Sequence, residues 1–214
     1  MPRSVRLSAV WCLTALLVAG CAQTVAGTAL RAPERPGENS RAPVDIAALL
    51  LTQPQMRAIT GAGEDLTVIP SMDGKIPVDI EQFAATTPAQ CAWIFRETET
   101  FGPDVEDFHK TTFQYPARSA LISQGAAGYR DPEAARLAFT DLTRRVDDCG
   151  RTPLAPMFVG SFSVRPESVR IRTGASCGRD YRVQSVVLVE VTFCGFPESV
   201  PDMVMTNILA RLPG

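Results

Sequence analysis

This chain is short of the residues that most catalytic chemistry needs. It has one histidine, His109, in 214 residues. The one G-x-S-x-G match, Gly174-Ala175-Ser176-Cys177-Gly178, leads into a strand and not a helix, so it lacks the strand-turn-helix setting of a serine hydrolase. No Gly-rich loop, H-R-D or D-F-G run occurs, which excludes a kinase catalytic domain. No two cysteines have C-x-x-C spacing, which disfavours zinc and thioredoxin-like redox sites. Lysine is confined to Lys75 and Lys110, the formal charge is −2, and no basic patch stands out. Nucleic acid is therefore not expected as a partner. Beyond the N-terminus no run of eighteen apolar residues occurs, so no spanning helix is expected there.

What is present begins at the N-terminus. Arg3 and Arg6 precede an apolar stretch from Leu7 to Gly20, the pattern of a secretory signal peptide over residues 1–20. As a helix that stretch reaches roughly 21 Å, short of the roughly 30 Å core of a bilayer. It ends in Val18-Ala19-Gly20-Cys21, which resembles the bacterial lipobox: an aliphatic residue, two small ones, then cysteine. That resemblance implies a diacylglyceryl group on the Cys21 sulfur and cleavage before it. Two or more acyl chains anchor stably where one is marginal. The expected location is the extracytoplasmic face of the cell membrane, with the lipid on Cys21 as the membrane contact.

Removal of residues 1–20 leaves 194 residues, enough for one ordinary domain, and a formal charge of −4. Cys12 leaves with the signal peptide. If Cys21 is acylated, Cys91, Cys149, Cys177 and Cys194 remain. An even set in an oxidising compartment reads as two disulfides, and spacing alone leaves all three pairings open. Residues 21–45 hold the lipidated cysteine and a stretch rich in Ala, Pro, Gly and polar residues. This composition predicts a disordered tether that holds the domain on the order of 25–30 Å from the membrane.

The folded domain is expected over residues 46–214. Thr52 and Gln55 form a capping box before a short helix that ends at Gly61. Residues 62–86 read as irregular, with Pro70, Gly74 and Pro77 as breakers. Thr87-Pro88-Ala89-Gln90 repeats the capping signal and predicts a helix carrying Cys91, Ile94, Phe95 and Thr98 on one face, ended by Gly102-Pro103. "HKTTFQY" and "SALISQGAAGY" read as strands. Asp131-Pro132-Glu133 opens a helix with Ala135, Ala138, Phe139, Leu142, Val146 and Cys149 along one face, stopped near Gly150. "MFVGSFSV" and "SVRIR" read as two further strands.

Residues 177–194 read as a hairpin bracketed by cysteines, turning near Gln184-Ser185, with Val187, Val189, Val191 and Phe193 on one face. A last helix runs from Ser199 to Leu212 with a stripe of Val204, Met205, Ile208 and Leu212, stopped by Pro213-Gly214. Helices mixed with antiparallel strand pairs predict an α+β domain: an antiparallel β-sheet with helices packed on one face.

Four stretches together resemble a known family. "AQCAWIF", "AARLAFTDLTRRVDDCGR", "CGRDYRVQSVVLVEVTFCG" and "VMTNILARLP" look like the PknH-like extracellular sensor domain, which occurs outside the membrane on a mycobacterial serine/threonine kinase and alone in mycobacterial lipoproteins. The resemblance covers most of residues 46–214 and is strongest from 120 onward. It rests on cysteine placement, the hairpin and the last helix, with no catalytic motif. It implies a surface cleft for a ligand and the disulfides Cys91–Cys149 and Cys177–Cys194. On the chain-entropy model such closures stabilise by about 4 and about 3 kcal/mol.

The expected function is a non-catalytic, lipid-anchored envelope protein whose sensor-type domain binds a small molecule, glycan or protein, with no cofactor and no metal. A lipid or glycolipid carrier of the envelope is the alternative. Candidate chemistry outside this reading is thin. Asp104, Glu106, Asp107 and His109 lack the glycine and spacing of a calcium loop and read as a solvated acidic loop. Glu97 and Glu99 read as the wet side of a helix, and Arg144 and Arg145 with Asp147 and Asp148 as surface pairs. Trp93, Phe95, Tyr115, Tyr129 and Tyr181 could line an apolar ligand cleft with polar tips; core packing is the favoured reading for Trp93 and Phe95, and sequence does not decide for the tyrosines. No ligand-binding residue is singled out. Labelled palmitate should enter the wild-type protein and be absent from Cys21→Ala; label in both would overturn the anchor.

Overall fold

A computed structural model describes residues 43–174 and 176–212. The signal peptide, Cys21, residues 22–42 and the Pro213-Gly214 stop lie outside the described residues. Helix α1 (Ile46–Leu49) is followed by α2 (Gln53–Thr60), which starts at the Thr52/Gln55 capping box and ends at Gly61 in the left-handed region, as the sequence predicts. Strands β2 (Asp107–Tyr115) and β3 (Ala120–Gly128) precede the long helix, here numbered α5 (Pro132–Gly150). Asp131 caps that helix by accepting from the Ala134 N–H. Two hairpins follow, β4 (Ser161–Arg165) with β5 (Ser168–Thr173) and β6 (Cys177–Gln184) with β7 (Val187–Cys194), and then α7 (Ser199–Leu209). The β6–β7 turn is Ser185-Val186, with Ser185 at φ 53°.

Three stretches differ from the sequence reading. Within residues 62–86, taken as irregular, Thr67–Gly74 forms edge strand β1 and Glu81–Ala84 a helical turn, α3. Pro70 is tolerated because an edge strand does not need every N–H. The pairing of β1 with β2 also slips between Val68 and Asp73. The single helix expected after Thr87 divides into a 3-10 turn at Ala92–Phe95 and α4 (Glu97–Phe101), because Arg96 between them is extended. The "MF" of "MFVGSFSV" belongs to a short helix, α6 (Ala155–Phe158), and the strand begins only at Ser161. Gly160 separates them at φ 48°, where a Cβ would lie 2.1 Å from the Arg172 carbonyl oxygen.

The strands form one antiparallel sheet in the order β1-β2-β3-β7-β6-β5-β4. The α+β class therefore holds, but helices cover both faces instead of one. Side chains alternate across a strand, so β7 presents Val187, Val189, Val191 and Phe193 on one side and Leu188 and Glu190 on the other. The first set packs with Ile46, Leu49, Met56, Ile122, Val204 and Ile208, from α1, α2, β3 and α7. Leu188 packs with Tyr181, Val183, Phe139, Leu142 and Val146, against α5. The valine alternation conceals this arrangement because Glu190, polar in sequence, is only 2 % exposed.

Cys91–Cys149 and Cys177–Cys194 are both joined, with sequence separations of 58 and 17. The first disulfide ties the stretch before the 3-10 turn to the end of α5 within the second core. The second bridges directly opposed residues where β6 begins and β7 ends.

Residues 46–51 are fastened by Asp107 at the Ile46 N–H, by Arg211 at the Leu49 and Leu50 carbonyls, and by Gln124 at Leu51. Gln124 on β3 is fully buried, accepts from the Leu51 N–H at 2.9 Å and donates to the Leu51 carbonyl at 2.6 Å. Gln124→Ala would strand two buried backbone groups, at about 1–3 kcal/mol each. Urea unfolding should show a loss of about 3 kcal/mol; a loss below about 0.5 kcal/mol would contradict this account.

Candidate functional site

The site grows from one register of the sheet. On β2, Phe108, Lys110 and Thr112 share a face, and His109 and Thr111 point to the other. Lys110 stands opposite Gly125 on β3, Gly125 opposite Glu190 on β7, and Glu190 opposite Tyr181 on β6. Because Gly125 has no side chain, the Lys110 stem lies flat across it. A Cβ at that position would meet Lys110 carbons at 3.3–3.5 Å. Lys110 Nζ thereby reaches past one strand to donate to Glu190 Oε1 at 3.3 Å, and upward to Glu97 Oε1 at 2.7 Å.

Burial by itself pushes the Glu190 carboxyl up, but Lys110, Arg179 and the Thr192 hydroxyl outweigh it and hold Glu190 below the usual carboxylate value. Thr192 Oγ1 donates to Glu190 at 2.5 Å. Burial lowers the Lys110 pKa, and Glu190 and Glu97 more than reverse this, so the ammonium is held charged. Arg179 donates to the Ile94 carbonyl at 3.0 Å, which joins the same sheet face to the 3-10 turn above. Tyr181, buried beside this cluster, has its hydroxyl pKa pushed up by burial and by the Glu190 charge.

Glu97 couples this charge cluster to a surface wall. Its second oxygen accepts from the Val78 N–H at 2.9 Å, and its own N–H donates to the Val78 carbonyl. Ile80 N–H donates to the Phe95 carbonyl, and Asp79 accepts from both the backbone and the hydroxyl of Thr98. Residues 78–80 are thus held alongside residues 95–98. These bonds replace the helical ones that the Thr87 signal predicts, which is why the chain opens at Arg96.

Between this wall and β2 lies a cleft of about 210 Å³. Met72, Ile76, Val78 and Ile80 line its outer side; Phe108, Lys110, Thr112 and Glu97 line its floor. The outer side chains are open to solvent, with Ile76 71 % and Val78 52 % exposed.

The residues singled out from sequence are placed elsewhere or act differently. Trp93, Tyr129 and Tyr181 are core residues, 0–1 % exposed, and Tyr129 donates to the Phe101 carbonyl at 2.6 Å. Phe95 packs on Phe83 with ring centroids 5.5 Å apart, and Tyr115 borders the other core. None of the five lines the cleft. His109 bonds Asp73 at 2.9 Å on the opposite sheet face, and Asp107 accepts from the Ile46 N–H, so that acidic run does not converge. Glu97 and Glu99 are not merely wet: Glu99 takes Arg96 at 2.8 Å and Arg145 at 2.6 Å. Arg144 makes the expected surface pair with Asp148 and an unforeseen one with Asp141, while Arg145 turns to Glu99. The signal for the wall was present as the alternation Ile76, Val78, Ile80, but the neighbouring breakers outweighed it.

A family model described as PknH-like extracellular domain matches residues 42–211. Among solved structures, the chain is similar to the extracellular domain of PknH from Mycobacterium tuberculosis, with a TM-score of 0.54 and 12 % identity. The match covers 80 % of this chain and 97 % of that one, which shows a shared fold. No curated protein matches the chain.

The charge cluster makes a testable ledger of pH. Glu190 has its folded pKa below its unfolded value of about 4.3. Its contribution is therefore complete above that value and is lost as pH falls through the folded one. Urea unfolding should show wild type losing more stability than Glu190→Gln between pH 6 and pH 3. At pH 7, Lys110→Met should cost about 3 kcal/mol by leaving Glu190 undercompensated, and Lys110→Met/Glu190→Gln should regain most of it.

Proposed function

This chain belongs to the PknH-like extracellular domain family, and we propose that it is a non-catalytic recognition domain, lipid-anchored through Cys21 at the extracytoplasmic face of the cell membrane, that binds its ligand in the cleft between residues 71–80 and β2. The family's extracellular character supports an extracytoplasmic location, and the lipobox pattern supports the anchor. The observation that carries the ligand reading is the cleft's construction. Apolar side chains stand exposed on one wall, and Glu97 and Lys110, fixed from behind by buried Glu190, lie on the floor. Ligand sites combine an apolar lining with a few placed polar groups in this way. The position of His109, across the sheet from the cleft and paired to Asp73, supports a site that binds without catalysis.

Recognition is favoured over carriage by size. A carrier encloses most of its cargo, and a space of about 210 Å³ with an exposed wall holds a head group and a short chain. Native mass spectrometry after incubation with envelope extract should show an adduct on wild type that Val78→Asp lacks. Retention by Val78→Asp, or no adduct on wild type, would overturn the cleft as the site.

A further inference from the structure

The hydrogen-bonding capacity left in the cleft defines the polar end of its ligand. An ammonium has three N–H donors and no acceptor. Lys110 gives two of them to Glu97 and Glu190, which leaves one for the space it lines. The one carboxylate in the lining is already engaged on both oxygens, by Lys110 on Oε1 and by the Val78 N–H on Oε2. Thr112 donates its hydroxyl hydrogen to Ser123 at 3.1 Å, and Ser71 adds a second neutral hydroxyl to the lining. Of the charged side chains in the cleft, Lys110 thus has an N–H to offer, and both Glu97 oxygens already have partners. Charge is neutral on this point, since the Lys110 ammonium, held charged, is paired in the lining with the Glu97 carboxylate; the free N–H makes the distinction. The outer lining is mostly carbon, from Met72, Ile76, Val78 and Ile80, whose exposed side chains suit a chain.

We propose that the cleft selects an acyl chain whose polar end is an oxygen acceptor, docked on Lys110 Nζ with the chain along Met72, Ile76, Val78 and Ile80. This rests on the cleft being the ligand site. The acceptor is the carboxylate of a free acid or the carbonyl of an ester; both offer the oxygen that Lys110 lacks. Residues 78–80 stay bonded to residues 95–98 throughout, so the wall needs no rearrangement to receive the chain.

The test uses probes of one chain length below their micellar concentrations: dodecanoate, monododecanoylglycerol and dodecylammonium, titrated calorimetrically into the exported protein. Dodecanoate or monododecanoylglycerol should bind at least tenfold more tightly than dodecylammonium, and the tighter of the two distinguishes a free acid from an ester. The preference should vanish in Lys110→Met/Glu190→Gln, the double variant chosen because it leaves no buried Glu190 charge short of its partner. Val78→Asp should weaken all three. Equal binding of the head groups, or a preference for ammonium, with Val78→Asp still weakening every probe, overturns the acceptor assignment and leaves the cleft standing. Acyl binding that Val78→Asp does not change overturns the cleft itself.

Discussion

One ammonium laid across one glycine organises this domain. Lys110 reaches Glu190, two strands away, only because Gly125 contributes no side chain to the intervening strand. Taking a carboxylate and an ammonium out of water is costly, and their mutual attraction offsets this only when the geometry is good and the remaining polar atoms are satisfied. Here Thr192 and Arg179 supply that satisfaction on the Glu190 side, and Glu97 on the Lys110 side. The same Glu97 holds Val78, so the charge cluster in the sheet also sets the position of an apolar wall at the surface. Core electrostatics and site geometry are therefore one system.

The second core and its disulfide hold the other half of that system in place. Glu97 and Glu99 lie on α4, a helix of five residues that could not persist alone. It is fastened from several sides. Arg145 on α5 takes Glu99, Arg179 on β6 takes the Ile94 carbonyl just before it, and Cys91–Cys149 ties the preceding turn to the end of α5. A short helix held in this way is a rigid mount for a carboxylate. A long autonomous helix, as the Thr87 capping signal predicts, would have kept its own hydrogen bonds and left residues 78–80 without partners.

That difference marks the boundary of what the sequence reveals. Elements governed by local signals are legible: α2 between its capping box and Gly61, α5 from Asp131 with its buried stripe, the hairpin from Cys177 to Cys194, and α7. The pairing of the cysteines was legible through family resemblance alone, since spacing leaves three choices. What stayed hidden depends on partners distant in sequence. β1 exists because β2 is beside it, and Arg96 is extended because residues 78–80 arrive there. Glu190 gave no local sign of its burial because its partner is 80 residues away. The aromatic residues drew attention as cleft candidates for their chemistry, yet Tyr129 and Tyr181 are spent on the core, and the cleft uses aliphatic side chains from a stretch discounted for its prolines.

The arrangement of polarity argues for function over stability. Ordinary packing puts carbon inside and charge outside, and a single exposed leucine or valine needs no explanation. Here Met72, Ile76, Val78 and Ile80 stand 40–71 % exposed within nine residues, and an ammonium and a carboxylate lie beneath them. Exchanging the buried pair for well-packed aliphatic residues is often neutral or stabilising, and polar replacements at the wall would cost the isolated domain little. Selection for folding alone therefore gives no reason to keep either feature, still less both at one place joined through Glu97. A ligand with a chain to cover the wall and an oxygen to meet Lys110 gives a reason for each. It also explains why the cluster is built so rigidly: a donor fixed in advance loses little freedom when the ligand arrives.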